Sequence, residues 1–157
     1  MGPQIAIYDA TDTTLVSTWN IGTLKAQVPS DILVVNVWNN RGGLTTVSDL
    51  KEAFLMVLDN SGDTAVDDVA RDKWIQVNIP SIDGNEDTWT PIGGTIGKDV
   101  RANAGVGEEN IIKGTMNDGV AANSPENVST IRLRAVAPPN SDPGDKLFKV
   151  RLNGYYT

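Results

Sequence analysis

The sequence predicts an all-β chain folded as an antiparallel β-sandwich with a long loop-rich insertion. Three observations predict it. Short runs rich in β-branched residues recur between turn clusters. Apolar and polar residues alternate within those runs with a period of two. Helical periodicity is scarce. With 157 residues and 16.8 kDa, enough for one independent core, the expected organisation is a single domain over 1–157 whose loop-rich segment covers about 81–127.

Gln4–Tyr8, Leu15–Trp19 and Ile32–Asn39 read as the first strands. In the third of these, ILVVNVW is apolar on both faces apart from Asn36, which places it centrally or beneath a loop or a partner. The best helical candidate is VSDLKEAFLMVL, where Ser48 is positioned to cap and Lys51, Glu52 and Ala53 favour helix. The same letters alternate, with Ala53, Leu55 and Val57 against Phe54, Met56 and Leu58, and we read a strand entered through a turn. Trp74–Ile79 puts Ile75, Val77 and Ile79 on one face, and Thr130–Ala137 sets Ile131, Leu133 and Ala135 against Arg132 and Arg134. In Lys146–Tyr155, Phe148, Val150 and Leu152 face a core while Lys149, Arg151 and Asn153 face solvent. NNRGG and DNSGD are glycine turns after strands, and the proline-rich APPNSDPGD marks a crossing between two strands. Between Ser81 and Asn127, TPIGGTIGKD and MNDGVAANSPEN leave room for one or two short strands among exposed loops, and long loops are more often binding surfaces or disordered links than idle connections.

Composition removes whole classes of function. A net charge of −7 and a pI near 4.4 leave no basic excess to neutralise phosphates, so nucleic acid is not an expected partner. The chain has no cysteine and no histidine. That excludes thiol and histidine nucleophile systems and the usual zinc sites, and leaves carboxylates, lysine and hydroxyls as the only catalytic material. MGPQIAIYD has neither a basic n-region nor an apolar h-region, and no run approaches the roughly 20 apolar residues that span a bilayer; the expectation is a soluble chain without a classical export signal and no membrane partner.

The remaining chemical candidates weaken on inspection. LDNSGDTAVDDVARD spaces Asp59, Ser61, Asp63 and Asp67 like calcium-loop oxygens, but Thr64 stands where an EF-hand needs glycine and Ala70 where it needs the bidentate glutamate. SIDGNED, Ser81 to Asp87, is a weaker version. The adjacent acids Asp67 and Asp68, or Glu108 and Glu109, point to opposite faces of an extended chain and do not form a hydrolase pair by themselves. Gly42-Gly43 and Gly93-Gly94 lack the ending of a phosphate loop and read as turns or bulges. Trp19, Trp38, Trp74 and Trp89 would make a sugar platform only if exposed together; the first three fall in or beside strands, which leaves Trp89 as the best exposed contact. Asn127-Val128-Ser129 fits a glycosylation sequon that carries little meaning without export. No cofactor and no metal are expected, and the expectation is that this is not an enzyme.

STWNIGTLKAQVPSDILVVNVWNN resembles the start of immunoglobulin-like sandwich modules, and STIRLRAVAPPNSDPGDKLFKVRLNGYY is similar to their final two strands, a strand joined through PGD to a hairpin-like return. VWNNRGG, KWIQVNIPSI, TPIGG and MNDGVAANSPENVSTIRLR together resemble small structural proteins of tailed bacteriophages, particularly those of Gram-positive hosts. That resemblance implies a non-enzymatic, multicopy virion protein of decoration, fibre or baseplate type, made in the host cytoplasm. It implies as partners the major capsid protein or other virion proteins, and further copies of the chain itself. The interface residues expected are Trp38, Asn39, Asn40 and Arg41 on the first glycine turn, with Trp89 and Ile92 on the long loop. The competing expectation is a carbohydrate-binding or adhesion module of a phage fibre, baseplate or bacterial cell surface.

Overall fold

A computed structural model describes residues 1–63, 67–104 and 109–157. Its strands in chain order are β1 (Ile5–Asp9), β2 (Leu33–Asn39), β3 (Lys51–Asp59), β4 (Ile75–Asn78), β5 (Thr90–Ile92), β6 (Lys98–Asp99), β7 (Val128–Ala135) and β8 (Phe148–Tyr155). Two single-turn helices, α1 (Asp68–Arg71) and α2 (Pro80–Asp83), flank β4. The strands form two antiparallel sheets, one of five strands in the order β1-β2-β7-β4-β5 and one of three in the order β6-β3-β8. The chain is therefore all-β in class.

One apolar core lies between the sheets. Val35, Val37, Ile131, Leu133, Ile75, Val77 and Ile92 come from the five-stranded sheet, and Ala53, Leu55 and Val57 from the other. The period-two alternation thus names the inward faces of β4, β7 and β8, because successive side chains of a strand point to opposite faces. The ambiguous VSDLKEAFLMVL segment is strand from Lys51 on. Its entrance carries a bulge, with Lys51 opposite Tyr155 and Phe54 opposite Asn153, and Glu52 takes a φ of 48° to admit the extra residue. β2 lies between β1 and β7, and its second face is closed by the chain itself.

Two expectations need correction. Leu15–Trp19 is not a strand: after Leu15 bridges Tyr8 and the Val16 amide donates to the Ile7 carbonyl, the chain leaves the edge of β1. From there Val16, Trp19, Ile21 and Leu24 pack against the core, so burial overrides the local β tendency. The final two strands are not a hairpin either. β7 lies in the five-stranded sheet and β8 in the three-stranded one, so the proline-rich segment crosses from sheet to sheet. The loop-rich region supplies α2, β5 and β6. Gly93 beside β5 is required by space: a Cβ there would sit 2.1 Å from the Ala70 carbonyl oxygen, at a φ of 150°.

β8 is an edge strand. Its inward residues Phe148, Val150 and Leu152 are only half-buried, and an apolar groove of about 610 Å³ opens between them and Ile7, Leu33 and Val35 of the opposite sheet.

Candidate functional site

β2 runs into Asn39-Asn40-Arg41-Gly42-Gly43, and the two asparagines set the local structure. An asparagine amide both donates and accepts, so it can satisfy backbone groups of irregular chain that no sheet ladder reaches. The Asn39 Oδ1 accepts from the Gln4 amide at 2.9 Å, and its Nδ2 donates to the carbonyls of Ser48 and Ile112 at 3.0 and 3.1 Å. Asn40 adopts the left-handed region at φ 61°, which asparagine tolerates better than most residues. Its Nδ2 donates to the carbonyls of Thr45 and Gly114, both at 2.8 Å. The Asn40 side chain occupies the space where a Cβ of residue 43 would lie, which explains Gly43.

Two further asparagines complete the network. The Asn117 Nδ2 donates to the Asn40 carbonyl at 2.7 Å, while its Oδ1 accepts from the Gly42 and Gly119 amides. The Asn127 Nδ2 donates to the carbonyls of Lys113 and Thr115, both at 2.9 Å, so the sequon asparagine is inside the fold. Asp118 accepts from Asn123, Val120 and Ser124, and the Asn123 amide chiefly holds its carboxyl below the usual carboxylate range. Segments 41–46 and 114–120 are thereby stitched together. They carry Leu44, Met116 and Val120, which are 89%, 61% and 49% exposed. A loop pair fixed by interior hydrogen bonds with apolar side chains left in water is an arrangement suited to contact with another surface.

The expected interface residues are placed as follows. Trp38 is fully buried, its Nε1 donating to the Asp12 Oδ1 at 2.9 Å, an oxygen that also accepts from the Asn36 Nδ2. Asn39, Asn40 and Ile92 are also buried, the last in the core opposite Ile75. Arg41 is partly exposed; its Nε donates to the Gly119 carbonyl at 3.1 Å and its guanidinium lies 4.2 Å from the centre of the Tyr8 ring. Trp89 is half-buried with Arg134 4.3 Å from its ring centre. Among the six, the loop asparagines and Arg41 come together as the scaffold of the tip, while Trp89 and Ile92 belong to another part of the molecule. Sequence reasoning missed Leu44 and Met116. Their signal was a lone large apolar residue inside the turn-forming runs GGLTT and GTMNDG.

The acidic candidates serve local structure. The Asp59 Oδ1 accepts from the Ser61 hydroxyl at 2.6 Å and from the Ser61 and Asp63 amides; those bonds, the hydroxyl first, hold its carboxyl below the usual range. Asp9 repeats the turn with Thr11 and Thr13, and its carboxyl is lowered to about 2, mainly by the Thr13 amide. Asp67 is exposed while Asp68 pairs with Lys146 at 2.8 Å, and in SIDGNED Asp83 pairs with Lys98 at 2.7 Å. Thr64 and Glu108 lie outside the described residues. Among the described residues no three acidic groups converge to hold a metal ion. Trp38 and Trp74 are buried, so the four indoles do not share one exposed platform. No described helix is long and apolar enough to cross a membrane. Compared with protein-family models, with curated proteins and with solved structures, the chain matches none.

Proposed function

We propose that this chain is a non-enzymatic structural subunit of a tailed-phage particle, a capsid decoration or cement subunit that docks through its loop tip, with tail or baseplate as the nearest variant. In this reading the two sheets are an immunoglobulin-like sandwich and the partner is the major capsid protein or another virion protein. The observation that carries it is the tip: Leu44 and Met116 stand in solvent on backbones fixed by Asn40 and Asn117, so little ordering entropy opposes their burial in an interface. The phage-protein resemblance of VWNNRGG and its companion runs supports a phage particle as the assembly. The acidic charge of −7 fits a subunit that stays soluble before docking and does not adhere to a genome.

The test is protein counting by mass spectrometry on density-purified particles from a culture that produces this protein, with the wild type and a Leu44→Asp/Met116→Asp variant. The wild type is expected in many copies per particle, and the variant, folded by circular dichroism, at least tenfold depleted, a loss of roughly 1.4 kcal/mol. Absence of the wild type from particles overturns the virion reading, and equal loading of the variant removes the tip as the docking surface. Recovery on cell walls instead, with a Trp89 fluorescence change on glycan titration, would promote the carbohydrate-binding module.

A further inference from the structure

The groove beside β8 has a second property that the apolar lining alone does not explain. β8 pairs with β3 along one edge from Lys51–Tyr155 to Asp59–Phe148, and along the other edge no described residue offers it a backbone hydrogen bond. The opposite edge strand of the other sheet differs, since β1 is capped by the Val16 and Thr14 backbones. An eight-residue strand thus presents unpaired amides and carbonyls directly beside a groove of about 610 Å³ between the sheets. Open strand edges are templates for pairing with another extended chain. On the outward side of the same strand stand Lys149 and Arg151, both exposed and neither in an ion pair among the described residues, on a chain whose net charge is −7.

We infer that β8 accepts an extended strand from a partner polypeptide, one that alternates apolar and acidic residues. The added strand becomes the fourth of the β6-β3-β8 sheet. Its backbone completes the hydrogen bonds of β8, and its apolar residues enter the groove beside Phe148, Val150 and Leu152. Its acidic residues fall on the face of Lys149 and Arg151, where opposite charges on neighbouring strands attract. The same cations argue against β8 of a second copy as the occupant. An antiparallel β8 pair that keeps its apolar residues inward sets Lys149 and Arg151 of the two copies against each other. The groove shares no lining residue with the loop tip, so this acceptor site stands independently of the docking proposed for Leu44 and Met116.

The experiment is a nuclear magnetic resonance titration of the ¹⁵N-labelled full chain with capped Val-Glu-Val-Glu-Val-Glu-Val-Glu, with its Val-Lys counterpart, and with the acidic peptide carrying proline at alternate positions. Saturable binding of the acidic peptide is expected, with slowed hydrogen exchange at alternate amides of Phe148–Tyr155, binding at least tenfold weaker for the basic peptide, and none for the proline peptide. A Lys149→Glu/Arg151→Glu variant, altered only at exposed positions, should reverse the preference. Failure of every peptide to protect β8 amides overturns the site. Equal affinity for the acidic and basic peptides overturns the charge assignment, and undiminished binding of the proline peptide overturns strand pairing in favour of a simple apolar ligand groove.

Discussion

Ile75 and Val77 in one sheet and Phe148, Val150 and Leu152 in the other follow the same alternation, and their fates differ. The first two are sealed from solvent; the other three are half-buried. β4 has neighbours on both sides, β7 and β5, whereas β8 has β3 alone among the described strands. Inward direction is a property of the strand, but burial is a property of its neighbours. The five-stranded sheet is further closed by its own loops: Asp12 and Arg41 cover Trp38, and the asparagine network holds segment 114–120 against the end of β2. At β8 the described cover is slighter, with Trp19 lying edge-on against Phe148 at 5.7 Å between ring centres, and that is where a partner strand would be accommodated.

The largest expected effect that tests this contrast lies in the closure of the five-stranded sheet. Asn40→Ala should cost about 3 kcal/mol, since it takes the side-chain donor from the Thr45 carbonyl, leaves the Gly114 carbonyl with the Val47 amide alone, and forces a Cβ residue other than asparagine into the left-handed region. Asn40→Gly relieves the backbone and should cost about 1 kcal/mol less. Urea unfolding measures both; a value under 1 kcal/mol for the alanine variant would mean the network is decorative.

The next comparison uses identical chemistry at two positions. Val77→Ala removes fully buried methyl groups and should cost about 2.5 kcal/mol in transfer and cavity terms, whereas Val150→Ala at the open edge should cost about 1. Equal losses would show that the β8 groove closes in solution. If β8 accepts a strand, the bound acidic peptide should raise the cost of Val150→Ala and leave that of Val77→Ala unchanged.

The smallest effect concerns a turn that both sheets share. Asp9 closes β1 and Asp59 closes β3 with the same side-chain-to-backbone pattern, so similarity is expected here. Asp9 should titrate at about 2 in a carboxyl carbon resonance experiment, against an ordinary value of 3.8, with Asp59 also lowered. A folded-state pKa below the unfolded one stabilises the fold above the ordinary carboxylate range, and that contribution disappears as pH falls from about 3.8 to about 2. Asp9→Asn should flatten the acid limb of stability in that window; a midpoint near 3.8 for Asp9 would show that the turn is open in solution.

Much of this was written locally. Alternation alone identified β3 over a helix and assigned the inward faces of β4, β7 and β8, because a strand's side-chain direction depends only on the residue's parity. The composition likewise removed histidine and thiol chemistry before any geometry was known. The asparagine-glycine run after β2 announced a special turn, since few other residues adopt positive φ without strain.

What the sequence could not announce was every property that depends on a second segment. Trp38 sits on the outward face of β2 and is buried because Asp12 and Arg41 fold over it; Leu44 sits in a turn and is exposed because no described segment does. Leu15–Trp19 has strand-like letters but its aromatic and aliphatic groups leave the sheet edge for the core, and the proline-rich crossing carries β8 to a different sheet from β7. Parity and φ preference are set by each residue's own covalent geometry. Burial, sheet membership and an unpaired edge are set by which distant backbones arrive beside it, and that is decided only when the whole chain packs.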